Sequence, residues 1–382
     1  MSNHQRMRLA LMYLDRGEGK DHFAYSHASV LAHETDLVCY LSARNTLLDR
    51  FRALPCEVKT FDWARGWRHL VLALLTRRDP TGVSQEVNRD APDLVLDTHA
   101  SWWSPVVERH FKRTIAIAEV VHDVVQHPGL SGIANAIYRR LVPTAADILV
   151  AVSRYGYAEL VRRYPRKSHI ASKHGIFLPG DHIDTAAIAS RRQKMFFFGK
   201  IDRYKGIEYL VAAYAITVRS NPDLKLDIIG SGTIAPGVIK RINELGIGLT
   251  NRYVQDWEVK QAVADHGVMV LPYTSATQSG VAAIALGNGL PCIATSVGAL
   301  PEQVLDGRNG IIVPPRSPQA LAEAMLRIAG NENLARRMAE EAVRIGREDY
   351  SWEVISRQLL SDLQACLASS FKTRAMGSKP VR

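Results

Sequence analysis

The strongest constraint on this chain is an alternation: short apolar runs rich in β-branched residues recur from end to end, separated by stretches of helical period. In the N-terminal half the runs are Leu9–Leu14, Leu37–Leu41, Leu94–Asp97, Thr114–Val120, Ile148–Ser153 and Ile170–Ser172. In the C-terminal half they are Met195–Gly199, Leu226–Gly230, Val268–Tyr273, Cys292–Thr295 and Ile311–Val313. Strands that alternate with helices form right-handed βαβ units, which assemble into parallel sheets with helices on both faces. The segment Phe177–Lys194, with Pro179, Gly180 and Asp181, breaks the alternation and sets a domain boundary at residues 185/186. The expected architecture is α/β, with two doubly wound parallel-sheet domains, 1–185 and 186–370, facing a cleft. Ligands of such sheets lie beyond the carboxyl ends of the strands. The end of the chain reads as three helices, Ala320–Ile328, Asn333–Ile345 and Trp352–Ala368, the last able to cross back to the N-terminal domain. The basic tail 371–382 is expected to be disordered.

The length of 382 residues fits two domains, and the apolar fraction of 47% excludes wholesale disorder. Cys39, Cys56, Cys292 and Cys366 have no metal-type spacing, which argues for a reducing compartment without a disulfide framework. No apolar run reaches about 18 residues, and the apolar stretch after Arg8 is too short for a signal peptide, so a cytoplasmic setting is expected. The net charge of +10 suits nucleic acid, anionic membrane or phosphate-bearing substrates. No nucleic-acid recognition motif accompanies it, so nucleic acid is set aside as a partner.

Three motifs in the second half carry chemistry. Gly230-Ser-Gly-Thr-Ile-Ala235 matches a dinucleotide fingerprint, but that fingerprint belongs on a domain's first strand, and Met195–Gly199 precedes it. A glycine turn that lets backbone approach another nucleotide, or simply a tight turn, fits its place better. Phe198–Gly206 ends a strand at Gly199 and then sets Lys200, Arg203 and Lys205 before a helix, a natural phosphate site. A solvated basic loop is the plainer reading. Tyr273–Gly280 is a hydroxyl-rich loop entering an apolar helix, so backbone N–H groups near Thr277, Gln278, Ser279 and Gly280 suit a diphosphate. The plainer reading is a capping loop with Ser275 or Thr277 as N-cap.

In this order, Gly-Lys-x5-Gly, Ile-Ile-Gly-x-Gly, Leu-Pro-Tyr, Gly-x-Pro-x-Ile-Ala-Thr-x-Val-Gly-x-Leu-Pro-Glu and Asp-Gly-x-x-Gly resemble family-four retaining glycosyltransferases. The resemblance covers residues 195–316 well and 1–190 weakly. It implies the GT-B architecture, with a nucleotide-sugar in the C-terminal domain and the acceptor in the N-terminal domain. It aligns Lys205 with the diphosphate-binding lysine and Lys200 with a usual arginine. Gly230 and Gly232 align with the loop beneath the nucleotide, and Glu302 with the Pro-Glu after the last glycine turn. The paired glutamates usual in the family fall here on Ala276 and Ile284, neither of which accepts a side-chain hydrogen bond. Gln278 and Ser279 are the polar groups available instead.

In the first half, His122 and Asp123 follow a strand end and resemble the family's His-Asp loop near donor sugar and acceptor; they are the catalytic candidates. Asp15, Gly17, Glu18, His99 and His127 are acceptor-side candidates. Trp63, Arg65, Trp67 and Arg68 combine aromatic and basic character as an interfacial segment does, and equally as a buried helix with a basic end does. The implied activity is transfer of a sugar from a nucleoside diphosphate to a saccharide or lipid-linked saccharide hydroxyl, with retention and without a metal or other cofactor. The implied setting is bacterial surface polysaccharide or glycolipid synthesis. A catalytically silent scaffold and a GT-B nucleotide-sugar epimerase are the alternatives.

Overall fold

The computed structural model describes residues 6–15, 20–62, 70, 73, 76, 78–99, 101, 103–124, 145–177, 179 and 182–376. The chain divides into two units. The first ends at Lys173 and takes in the C-terminal helix; the second is His174–Ser351. The division thus falls ahead of the expected 185/186.

The first unit holds β1 (Arg8–Tyr13), β2 (Asp36–Ser42), β3 (Glu57–Phe61), β4 (Leu94–Asp97), β5 (Ala116–Val121), β6 (Ile148–Ala151) and β7 (Ser168–Ala171). They form one sheet in the order β3-β2-β1-β4-β5-β6-β7, every pair parallel. The second unit holds β8 (Lys194–Phe198), β9 (Lys225–Gly230), β10 (Gly248–Asn251), β11 (Val268–Leu271), β12 (Cys292–Thr295) and β13 (Gly310–Val313). Its parallel order is β10-β9-β8-β11-β12-β13. Both sheets have the doubly wound order, which reverses beside the first strand of each. The switch points lie between β1 and β4 and between β8 and β11, where ligands of such sheets bind.

Inner strands such as β4, β6, β11 and β12 are buried at every residue. A parallel strand covered on both faces is predominantly apolar, which is why these runs stand out in the sequence. The sequence runs missed β3 and β10. Both are edge strands with half-exposed residues, Glu-Val-Lys-Thr-Phe and Gly-Leu-Thr-Asn, so neither has an apolar run to show.

The last helix, Trp352–Met376, runs past the expected Ala368 and packs on the first unit. The Trp352 ring lies 5.3 Å from Phe23 and 5.0 Å from His27. Ser356 Oγ meets His27 Nδ1 at 2.9 Å, and Arg357 pairs with Glu34 at 2.9 Å. Among the described residues no helix is long and apolar enough to cross a membrane.

Three carboxyls are sealed into the first unit: Asp97 and Glu119, opposite each other on β4 and β5, and Glu108. Burial pushes all three up, and their mutual repulsion adds to the shift of Glu108 and Glu119. A carboxyl that stays protonated in the folded chain while the unfolded one ionises costs stability as pH rises above about 4. The stability is therefore complete below that range and falls, by up to about 1.4 kcal/mol per pH unit per group, until the folded carboxyls also ionise. Glu119→Gln should flatten this slope and raise the melting temperature at neutral pH. An unchanged pH profile in thermal melts would refute the effect.

Candidate functional site

In the second unit, candidate residues gather at the β8/β11 switch point. After β8 the backbone continues beside the β9 loop: Gly199 N–H donates to Ile229 O at 3.0 Å and Ile201 N–H to Ser231 O at 2.8 Å. A Cβ on Gly230 would stand 1.8 Å from Gly199 O, and one on Gly232 1.9 Å from Ile201 O. The two glycines therefore allow one loop to lie against the other. The Gly-x-Gly pattern sits on the second strand of its sheet in sequence order, and a close backbone approach accounts for it.

A single 3-10 turn, Arg203–Lys205, follows, with Asp202 capping it. Thr274 N–H and Oγ1–H donate to Tyr204 O at 2.7 and 3.2 Å, so the turn is tied to the loop after β11. Lys205 is only 8% exposed, its Nζ 3.7 Å above the Tyr273 ring and 5.0 Å from that of Tyr204. Burial pushes the Tyr273 phenol up, so an uncharged ring faces the ammonium. The buried cation is held by π-faces, an attraction worth about 1–2 kcal/mol when desolvated. Lys200, by contrast, is exposed.

The hydroxyl-rich loop leads into the helix Gly280–Gly287. Ser279, rather than Ser275 or Thr277, is its N-cap, accepting from Ala282 N–H at 3.2 Å. Thr277 is buried. Gln278 Oε1 is buried with no hydrogen-bond partner among the described residues. Glu302 lies half-buried in the short helix Leu300–Gln303, its carbonyl accepting from Tyr350 Oη–H at 2.7 Å. The neighbouring Gln303, which sequence reasoning passed over, donates through Nε2 to Ser279 O at 3.1 Å and so fastens the loop. Another residue missed is His174, whose ring would lie 3.6 Å from a Cβ on Gly280; burial pushes it down to about 4, so it is neutral at physiological pH. Ala276 and Ile284 join the apolar core.

In the first unit the β1, β4 and β5 ends bring Asp15, His99 and His122 together. Asp15 Oδ2 is 3.2 Å from His99 Nε2, and Lys20 Nζ is 3.5 Å from the same nitrogen. The His99 and His122 rings are 5.7 Å apart, and His122 stacks edge-on to Phe23 at 4.6 Å. His122 is buried, with Nε2 2.9 Å from Thr98 O. A carbonyl cannot donate, so Nε2 carries a proton and donates it to Thr98 O. Asp123 is exposed. Gly17, Glu18, His127, Trp63, Arg65, Trp67 and Arg68 lie outside the described residues. Among those described, no cluster of three or more His, Cys, Asp or Glu is arranged to hold a metal ion.

Residues 192–331 match the family model described as glycosyl transferases group 1. The D-inositol 3-phosphate glycosyltransferase of Corynebacterium urealyticum is 29% identical over 174 residues, covering 43% of this chain and 41% of its own length. That of Corynebacterium glutamicum is 27% identical over 251 residues, covering 60% and 59%. The chain thus spans less than two thirds of the length of these curated relatives. Among solved structures, Anabaena HepE in complex with UDP-glucose superposes with a TM-score of 0.71 at 17% identity, covering 94% of this chain and 100% of that one. Sucrose-phosphate synthase from Thermosynechococcus elongatus superposes at 0.69, with 17% identity, 95% of this chain and 100% of that one. The family match lies on the unit that carries the Lys205 turn, and the two parallel-sheet α/β units have the GT-B fold.

Proposed function

We propose that the chain transfers a sugar from a nucleoside diphosphate, bound by the second unit, to a hydroxyl of an acceptor bound by the first. The observation that carries this reading is Lys205, a cation clamped over Tyr273 at the β8/β11 switch point. Lys205, Lys200 and the N–H groups near Gln278–Gly280 stabilise the departing diphosphate by charge, in the role other enzymes give a metal ion. Transfer proceeds without metal and with retention, the leaving phosphate taking the acceptor proton on the same face. His122, anchored through Nε2 to Thr98 O at the end of β5, is the group placed to meet an incoming hydroxyl.

The UDP and UDP-glucose bound in the Anabaena structures support a uridine diphosphate sugar as donor. The acceptor is a saccharide, a lipid-linked saccharide or, by the names of the curated relatives, a phosphorylated cyclitol. The pathway is surface polysaccharide or glycolipid synthesis, at the inner face of the cytoplasmic membrane.

Thermal stabilisation by nucleoside diphosphates and their sugars, with magnesium or with chelator, tests the donor site. A ligand at a hundred times its dissociation constant adds about 2.7 kcal/mol to the native state. UDP is expected to raise the melting temperature of the full chain equally with magnesium and with chelator. No shift for any nucleotide at millimolar concentration would favour a silent scaffold. Interconversion of the sugar with no acceptor added would instead point to an epimerase.

A further inference from the structure

Two of the four cysteines meet in the first unit. Cys39 lies in β2, and Cys56 lies one residue before β3. Strand pairing brings them together across 17 positions, with their Sγ atoms 3.9 Å apart. Cys39 is opposite Val58 in the register, and alternation puts Cys56, two residues earlier, on the same face. Cys39 is fully buried, whereas Cys56 is half-exposed at the rim of a pocket of about 670 Å³ that Arg6, Arg8, Thr35 and Pro55 also line.

The two thiols differ in reactivity. The hydrogen bond from Cys39 favours the Cys56 thiolate and holds that thiol below its usual range, while the same contact and burial push Cys39 well up. Burial pushes Cys292 up to about 12 and raises Cys366 as well. An accessible thiolate in contact with a second, sheltered thiol is the arrangement of an attacking and a resolving cysteine.

We propose that Cys39 and Cys56 form a reversible disulfide on exposure to hydrogen peroxide, with Cys56 attacking and Cys39 resolving. The Cys56 thiolate takes one peroxide oxygen as the O–O bond breaks, leaving a sulfenic acid and a hydroxide that is protonated to water. The Cys39 sulfur then attacks that of Cys56, the S–O bond breaks, and the Cys39 proton leaves with the hydroxyl as a second water. Two thiols are oxidised by two electrons, and one peroxide is reduced to two waters. The sulfurs close by about 2 Å to reach bonding distance. The bond fastens the edge strand β3 to β2 and closes residues 39–56, with the helix Leu48–Arg52, into a covalent loop.

Peroxide titration of the full chain, read by intact mass and non-reducing peptide mapping, tests the proposal. The expected result is loss of two hydrogens, a Cys39–Cys56 cross-linked peptide and full reversal by dithiothreitol. Cys39→Ala should arrest at a sulfenic acid on Cys56 that dimedone captures, and Cys56→Ser should leave Cys39 as the free thiol. Oxidation of Cys56 to sulfinic acid with Cys39 intact, a disulfide between two chains, or no change at peroxide levels that oxidise free cysteine would overturn the proposal. The wild-type map decides the matter even if either variant fails to fold.

Discussion

Replacing Lys205 with alanine is expected to lower transfer by a factor on the order of 10²–10³, the loss typical when one preorganised donor to a developing anion is removed. The same change should abolish stabilisation by UDP. Because Lys205 is buried against Tyr273, its removal also leaves a cavity, and a loss of activity alone would be ambiguous. Lys205→Met separates the two causes, since it keeps the aliphatic volume over the ring and removes only the charge. It should melt close to the parent chain yet lose the nucleotide response. A methionine variant that still binds UDP and transfers sugar at the parental rate would take Lys205 out of the donor site. Lys200, exposed on the same loop, should matter less, because water screens an exposed cation.

The second large effect is structural. Gly230→Ala would put a methyl group 1.8 Å from Gly199 O at a backbone φ of +154°, which a side chain rarely adopts. Backbone rather than a flexible side chain stands in the way, so the β8 and β9 loops must separate. A destabilisation on the order of 3 kcal/mol or more is expected in denaturant unfolding. The Gly199–Lys205 segment is hydrogen-bonded to that loop, so nucleotide binding should weaken as well. Parental unfolding midpoint and UDP affinity in this variant would show that the two loops do not need to touch.

The same contact explains how a motif can mislead. Gly230-Ser-Gly-Thr-Ile-Ala235 has the letters of a dinucleotide fingerprint, and its position on the second strand of the sheet argued against that reading. The structure supplies the positive reason for the glycines, the neighbouring backbone. Capping was legible only in type: a hydroxyl at the helix start was foreseen, but Ser279 fills the place expected of Ser275 or Thr277. The helix begins at Gly280, within a turn and a half of all three, and pattern alone does not choose among neighbouring hydroxyls.

What the sequence by itself determined is the parallel α/β class, the inner strands, and the loops that bear Lys200, Lys205 and the Thr277–Gly280 run. These follow from local period and composition, because an inner parallel strand is predominantly apolar and its loop is adjacent in the chain. The edge strands β3 and β10 were not legible, since half-exposed residues carry no apolar run. Only the tertiary structure decided which distant residues meet: Asp15, Lys20, His99 and His122 in one unit, Gln303 against Ser279 in the other, and Cys39 against Cys56, which in the sequence are merely scattered thiols. Those meetings depend on strand order and register, which arise from packing the whole sheet at once and leave no mark in the local spacing of residues.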